Sequence, residues 1–130
     1  NPEKVSASLS AVKSHFPKSR LVAIFEPRTA SSRRKVFQSA YIDSFKTADL
    51  VYIAQPFRKE SIAVSDLFSS EQLAKDLNQK GVKAMTLATA DDIVKDLRGK
   101  LKTGSKPTII VIMSSGEFDN IHQKVISLVP

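Results

Sequence analysis

The amino-acid sequence predicts an α/β domain: a mainly parallel, Rossmann-like sheet with helices on both faces. Three observations predict it. Short apolar, β-branched runs alternate with stretches of helical periodicity. The stretches between the runs have the length that a crossover between parallel strands needs. At 130 residues and 42% hydrophobic, the chain can enclose one sizeable core, and it shows no repeat, low-complexity tract or internal linker.

Each element has its own signal. Val5, Leu9, Val12 and Phe16 recur at helical spacing and predict a helix over 2–16, with Pro2 in its first turn and Pro17 as its stop. Residues 20–25 are a short β-branched run, hence a buried strand. Residues 26–32 read as a polar loop, and Ser31 or Ser32 suits the cap of a helix over 33–46 whose inward residues are Val36, Phe37, Ala40, Tyr41 and Phe45. A second strand spans 50–54 and stops at Gln55-Pro56, and residues 57–69 read as irregular. Ser69 or Ser70 caps a helix carrying Leu73, Ala74 and Leu77, which Gly81 closes. The third strand spans 82–87. Asp91 and Asp92 open a helix that runs to about Leu101, where their charge suits the positive end of the helix dipole, and Gly104 ends that stretch. The fourth strand, 108–113, is the most apolar stretch and is expected to be the most buried. Residues 114–120 turn into a last helix over 121–128.

Composition narrows the chemistry. There is no Cys, which excludes a disulfide framework, a thiolate zinc site and a cysteine nucleophile. Two His are too few for a histidine-rich metal site, and His15 beside Phe16 reads as surface or packing. The longest apolar runs, Ile109 to Met113 among them, fall far short of the roughly 20 residues of a membrane helix. With no charged-then-apolar leader at its start, the chain is expected in the cytoplasm, with no membrane partner. The net charge of +7 is uneven, with eleven cations against five anions in residues 1–60 and nine against eight in residues 61–130. A basic half suits anionic partners, whether nucleotide phosphates, carboxylate substrates or nucleic acid, although a solvated basic surface accounts for it equally well. Only 7% of residues are aromatic, and no strand alternates basic with aromatic residues. A nucleic-acid platform is therefore not expected.

In an open parallel sheet, ligands bind beyond the carboxyl ends of the strands. Arg28, Arg33 and Arg34 fall there, after the first strand and at the start of a helix. Guanidinium groups hold carboxylate or phosphate in a bidentate fork. Cations at a helix start oppose its dipole, so nothing structural asks for them there. After the fourth strand come Ser114, Ser115 and Gly116, where glycine permits close backbone approach. This is neither a Walker A loop nor a dinucleotide fingerprint, and a tight strand-to-helix turn explains it as readily as a ligand loop. Asp119 suits a cap of the last helix. His122, three residues on, would share a helical face with it near the crevice, although a lone His is more often structural.

The residues go further than the pattern. The segment Phe25-Glu26-Pro27-Arg28-Thr29-Ala30-Ser31-Ser32-Arg33-Arg34-Lys35-Val36-Phe37-Gln38 and the segment Met113-Ser114-Ser115-Gly116-Glu117-Phe118-Asp119-Asn120-Ile121-His122 resemble two motifs of the C-terminal domain of the Mur ligase family, in its murein peptide ligase branch. Ala54-Gln55-Pro56-Phe57-Arg58 resembles a third, shorter one, and Asn1-Pro2 before a helix resembles the entry to that domain. Against the family's second motif, Ser115 stands for an amide, and Glu117 and Asn120 stand for glycines.

The resemblance implies one domain of a longer, three-domain enzyme, without the N-terminal UDP-sugar domain and the central ATPase domain. It implies an ATP-dependent ligase that forms an acyl phosphate on UDP-N-acetylmuramate and joins it to the murein tripeptide L-alanyl-γ-D-glutamyl-meso-diaminopimelate, in bacterial peptidoglycan recycling. ATP and Mg2+ would be held mainly by the absent central domain. By position in the motifs, Arg28, Ser31, Ser32, Arg33 and Arg34 are expected to bind the tripeptide. Ser115, Gly116, Phe118, Asp119 and His122 are expected to form the second wall of its pocket, and Asn1 to lie on the nucleotide side. No residue is expected as catalytic base or metal ligand. A ligase adding a single amino acid and a stand-alone anion-binding regulatory module remain as alternatives.

Overall fold

The computed structural model describes residues 1–27, 38–55, 68–114 and 118–129. Its elements follow in the order α1 (Pro2–His15), β1 (Arg20–Phe25), α2 (Gln38–Ser44), β2 (Leu50–Ala54), α3 (Ser70–Gln79), β3 (Lys83–Leu87), α4 (Ala90–Leu101), β4 (Thr108–Met113) and α5 (Ile121–Ile126). The strands form one sheet in the order β3-β2-β1-β4, every pairing parallel. The α/β class with helices on both faces is therefore the observed one.

Strand alternation builds the two layers. Leu21, Ala23 and Phe25 of β1, with Val51 and Ile53 of β2, face Val5 and Leu9 of α1, Tyr41 and Phe45 of α2, and Leu73 and Leu77 of α3. Val22 and Ile24, with Leu50, Tyr52 and Ala54, face Ile93, Val94 and Leu97 of α4 and Ile121 and Val125 of α5. An aromatic cluster stiffens the first layer: Phe25 lies 5.0 Å from Tyr41, and Tyr41 meets Phe68 edge-on at 5.8 Å, centroid to centroid.

Helix ends follow local chemistry. Ser69 rather than Ser70 caps α3, its side chain accepting from the Gln72 amide at 3.1 Å. Ser70 is buried instead, and its hydroxyl donates to the Ala54 carbonyl at 2.5 Å, tying α3 to the end of β2. Thr89 caps α4 by accepting from the Asp92 amide, which leaves Asp91 and Asp92 in the first turn, where they suit the dipole. Gly81 and Gly104 take φ of 85° and 84°, the left-handed turns that follow α3 and α4. Three helices stop short of their predicted ends, α1 at His15, α2 at Ser44 and α5 at Ile126. The Ser31 or Ser32 cap, and the part of the second helix before Gln38, lie outside the described residues.

One expectation is corrected. The fourth strand is the most apolar but, among the described residues, not the most buried: it pairs with β1 alone of the described strands, and all six of its residues are only half-buried. β1 and β2 hold the centre, and β2 is buried throughout. Apolarity marks strands that pair on both sides and strands that pair on one, so it does not rank them.

Candidate functional site

The strand order locates the crevice. From β1 the chain builds outward through β2 and β3, then returns to β1's other side with β4. The order reverses between β1 and β4, and in parallel sheets ligands bind at the carboxyl ends of such a pair. The last rung there is the Glu26 amide donating to the Met113 carbonyl at 3.0 Å. Immediately beyond it, the Ser114 hydroxyl donates to Glu26 Oε1 at 2.7 Å. Glu26 is 9% exposed, an acidic side chain nine-tenths buried at the floor of the crevice. At the same end of the sheet the Ser69 amide donates to Gln38 Oε1 at 2.9 Å, joining α2 to the start of α3.

The approach to α5 departs from prediction. Phe118, Asp119 and Asn120 form a 3-10 turn with successive φ of 42°, 49° and 59°. Three left-handed residues in a row are rare, and Asn and Asp tolerate that region best. This gives a physical reason why Asn120 can stand where the family motif has glycine. Because the chain enters α5 through this turn, Asp119 is outside the helix and does not share a helical face with His122. Nor does Asp119 cap α5, because Asn120 holds the cap position without a side-chain cap bond. The Asp119 carboxylate instead accepts from Lys124 Nζ at 2.9 Å, and Asp91 lies at 2.9 Å from the same ammonium. These bonds, Asp91 first, raise the Lys124 pKa above its ordinary value. Lys124 thus links the first turn of α4 to the turn before α5.

The other expected site residues fall as follows. Phe118 is buried among Ile121 and Val125, so it anchors the turn from below. His122 is exposed. Asn1 caps α1, its side-chain oxygen accepting from the Lys4 amide at 2.9 Å. Arg28, Ser31, Ser32, Arg33, Arg34, Ser115 and Gly116 lie outside the described residues. Glu26 and Ser114 are the residues that sequence reasoning missed. Both stand inside the quoted motifs, but which strands adjoin each other at the crevice is not written in local sequence. Among the described residues no three His, Asp or Glu are grouped to hold a metal ion. No described helix is long and apolar enough to cross a membrane. An open groove of about 610 Å³ between Leu101, Ile110 and Leu128 lies toward the start of β4 and is not part of this crevice.

Comparison with known proteins finds similarity in sequence and in fold. No family model matches the chain. It is 26% identical over 126 residues to the UDP-N-acetylmuramate–L-alanine ligase of Desulfitobacterium hafniense, covering 97% of this chain and 27% of that protein. A murein peptide ligase from Psychrobacter arcticus superposes with a TM-score of 0.72 at 24% identity, over 98% of this chain and 25% of that one. A domain described as belonging to a UDP-N-acetylmuramate:L-alanyl-γ-D-glutamyl-meso-diaminopimelate ligase of Haemophilus ducreyi superposes with a TM-score of 0.67 at 23% identity, over 99% and 85%. The chain spans about a quarter of the length of the curated relative it matches. In sequence the chain is similar to that L-alanine ligase, and it shares the fold of the two murein peptide ligase neighbours.

Proposed function

We propose that this chain is the amine-substrate domain of an ATP-dependent ligase that joins L-alanyl-γ-D-glutamyl-meso-diaminopimelate to UDP-N-acetylmuramate in the bacterial cytoplasm, during peptidoglycan recycling. The observation that carries the reading is the crevice itself. The two segments resembling Mur ligase motifs leave the sheet from β1 and β4, the adjacent pair at which the strand order reverses. Arg28, Arg33 and Arg34 follow Glu26 within eight residues. A tripeptide rich in carboxylates is the ligand such a cluster suits, because guanidinium groups bind carboxylates through paired hydrogen bonds.

The division of labour follows from what the chain contains. It has four Gly and no Gly-Lys-Ser/Thr phosphate loop, and its described acidic residues form no metal cluster. ATP and Mg2+ are therefore assigned to other domains of the same protein, and no step of phosphoryl transfer is assigned to residues of this chain. When bound there, ATP supplies the phosphoryl group that activates the muramoyl carboxylate. This chain orients the amine for attack, so that the acyl–oxygen bond breaks as the amide forms and phosphate leaves. Holding both reactants in place is itself a large part of such catalysis.

A second reading is favoured by one observation: the Desulfitobacterium hafniense relative is named for ligation of L-alanine. In that case the same crevice takes a single amino acid. The test is to offer the whole protein ATP, Mg2+ and UDP-N-acetylmuramate with either the tripeptide or L-alanine, and to measure amide product and ADP. Preference for the tripeptide supports the proposal and preference for L-alanine supports the second reading. Amide formation with neither rejects both.

A further inference from the structure

We infer that Glu26 and Ser114 act as a clamp across the crevice, positioning residues that set the spacing of the two segments between which the amine substrate binds. The role in substrate binding rests on the ligase reading, whereas the clamp itself stands on geometry. Parallel pairing of β1 with β4 ends at Phe25 and Met113. The next described helix after β1 is α2, on the first face, and the next after β4 is α5, on the second. The Ser114–Glu26 bond of 2.7 Å is a side-chain link placed where the ladder stops.

Stability alone is a poor reason for this pair. Burying a carboxylate is costly, and an apolar side chain of similar volume is often neutral or better at such a position. A carboxyl group here gains geometric definition instead: its oxygen accepts a short, directional bond from a hydroxyl. Its position in the chain gives that definition a use. Glu26 is followed by Pro27, whose φ is fixed near −65°, and then by Arg28. The direction in which the chain leaves β1 is thus set at Glu26 and Pro27. On the other side, Ser114 is the residue from which the second motif departs. Supporting side chains of this kind decide whether a site is held to a fraction of an ångström or left loose.

The experiment has two arms. In the first, amide hydrogen exchange is measured on the chain carrying Ser114→Ala. The Glu26 amide, which holds the last rung, is expected to exchange roughly tenfold faster, with the Val22–Ile24 amides unchanged. Unchanged exchange at Glu26, or an equal rise throughout β1, overturns the clamp. In the second, the whole protein carries Ser114→Ala, Glu26→Ala, both together, or Glu26→Gln. Each alanine variant is expected to raise the KM for the amine substrate roughly tenfold and to leave that for UDP-N-acetylmuramate within about twofold. The double variant is expected to lose less than the two singles summed, because the bond between Ser114 and Glu26 is lost in each of them. Glu26→Gln keeps the acceptor and is expected to restore most of the affinity. Additive losses, equal losses for both substrates, or an unmoved amine KM overturn the inference. If the wild-type protein ligates no amine, the ligase reading falls, and the exchange arm alone decides the clamp.

Discussion

The Tyr52 hydroxyl donates to Asp96 Oδ2 across 2.6 Å, and the Lys100 ammonium binds the same oxygen one helical turn away. The group joins the centre of the sheet to α4, with Lys100 Nζ 5.7 Å from the Tyr52 ring centroid. Burial, together with the bond to Asp96, pushes the Tyr52 pKa well above its ordinary value. Replacing Tyr52 by Phe removes a bond to a charged acceptor and is expected to cost about 1–2 kcal/mol in urea unfolding. A change within experimental error means that the pair adds nothing to stability.

The same carboxylate sets a pH dependence. Burial raises the Asp96 pKa, but bonds from Lys100 and Tyr52 outweigh it, and the net shift is downward. A native pKa below the unfolded value of about 3.9 contributes stability that is complete above that value. The contribution is lost as pH falls below about 4 and through the native pKa. The wild-type chain is therefore expected to lose stability more steeply than Asp96→Asn over that range. Parallel stability–pH curves for the two proteins count against this assignment.

Tyr41 is fully buried, yet its hydroxyl has no hydrogen-bond partner among the described residues. Tyr41→Phe keeps the ring contacts with Phe25 and Phe68 and removes the desolvated hydroxyl. It is expected to leave stability unchanged or to raise it by up to about 1 kcal/mol. Tyr41→Ala, which empties the aromatic cluster, is expected to cost about 3–5 kcal/mol. Calorimetric melting of both variants checks the contrast, and a large loss in Tyr41→Phe reveals a bond to that hydroxyl.

His122 is exposed, so its removal opens no cavity. His122→Ala is expected to leave the melting temperature within about 2 °C of wild type, in keeping with the small effect of surface substitutions. In the whole protein it is expected to lower kcat/KM for the amine substrate. Normal kinetics withdraws His122 from the site.

Arg33→Ala and Arg34→Ala in the whole protein are each expected to impair use of the tripeptide more than use of UDP-N-acetylmuramate. Loss of a charge-assisted bond to a carboxylate costs roughly 1.5–3 kcal/mol, or about ten- to a hundredfold. Steady-state kinetics with each substrate varied in turn measures it. Unchanged KM and kcat for the tripeptide in both variants mean that these arginines face solvent.

Local signals carried most of the architecture. The β-branched runs at 20–25 and 50–54 became β1 and β2, and the alternation of strand with helix predicted a parallel sheet covered on both faces. Caps were legible to within a residue, because Ser69 and Ser70 both suit the position and only burial separates them. Such features depend on residues a few positions apart, which sequence displays directly. The motif segments were legible for the same reason.

Strand order was decided only by the folded chain. Parallel pairing joins residues far apart in sequence, such as Phe25 with Met113, and side-chain alternation does not say which strand lies beside which. That is why β4, read as the most buried strand, is only half-buried and pairs with β1 alone among the described strands. It is also why Glu26 and Ser114, 88 positions apart in the chain, were not seen as partners. Asp119 shows the same limit over a shorter span. Its residue type suits a cap, but the left-handed run through Asn120 leads its carboxylate to Lys124 instead. The sequence by itself determined the α/β class, the helix and strand segments and the chemical character of the loops, since those follow from local periodicity and residue type. Tertiary structure alone decided the crevice and the pair that closes its floor, because both arise where distant segments meet at the point of strand reversal.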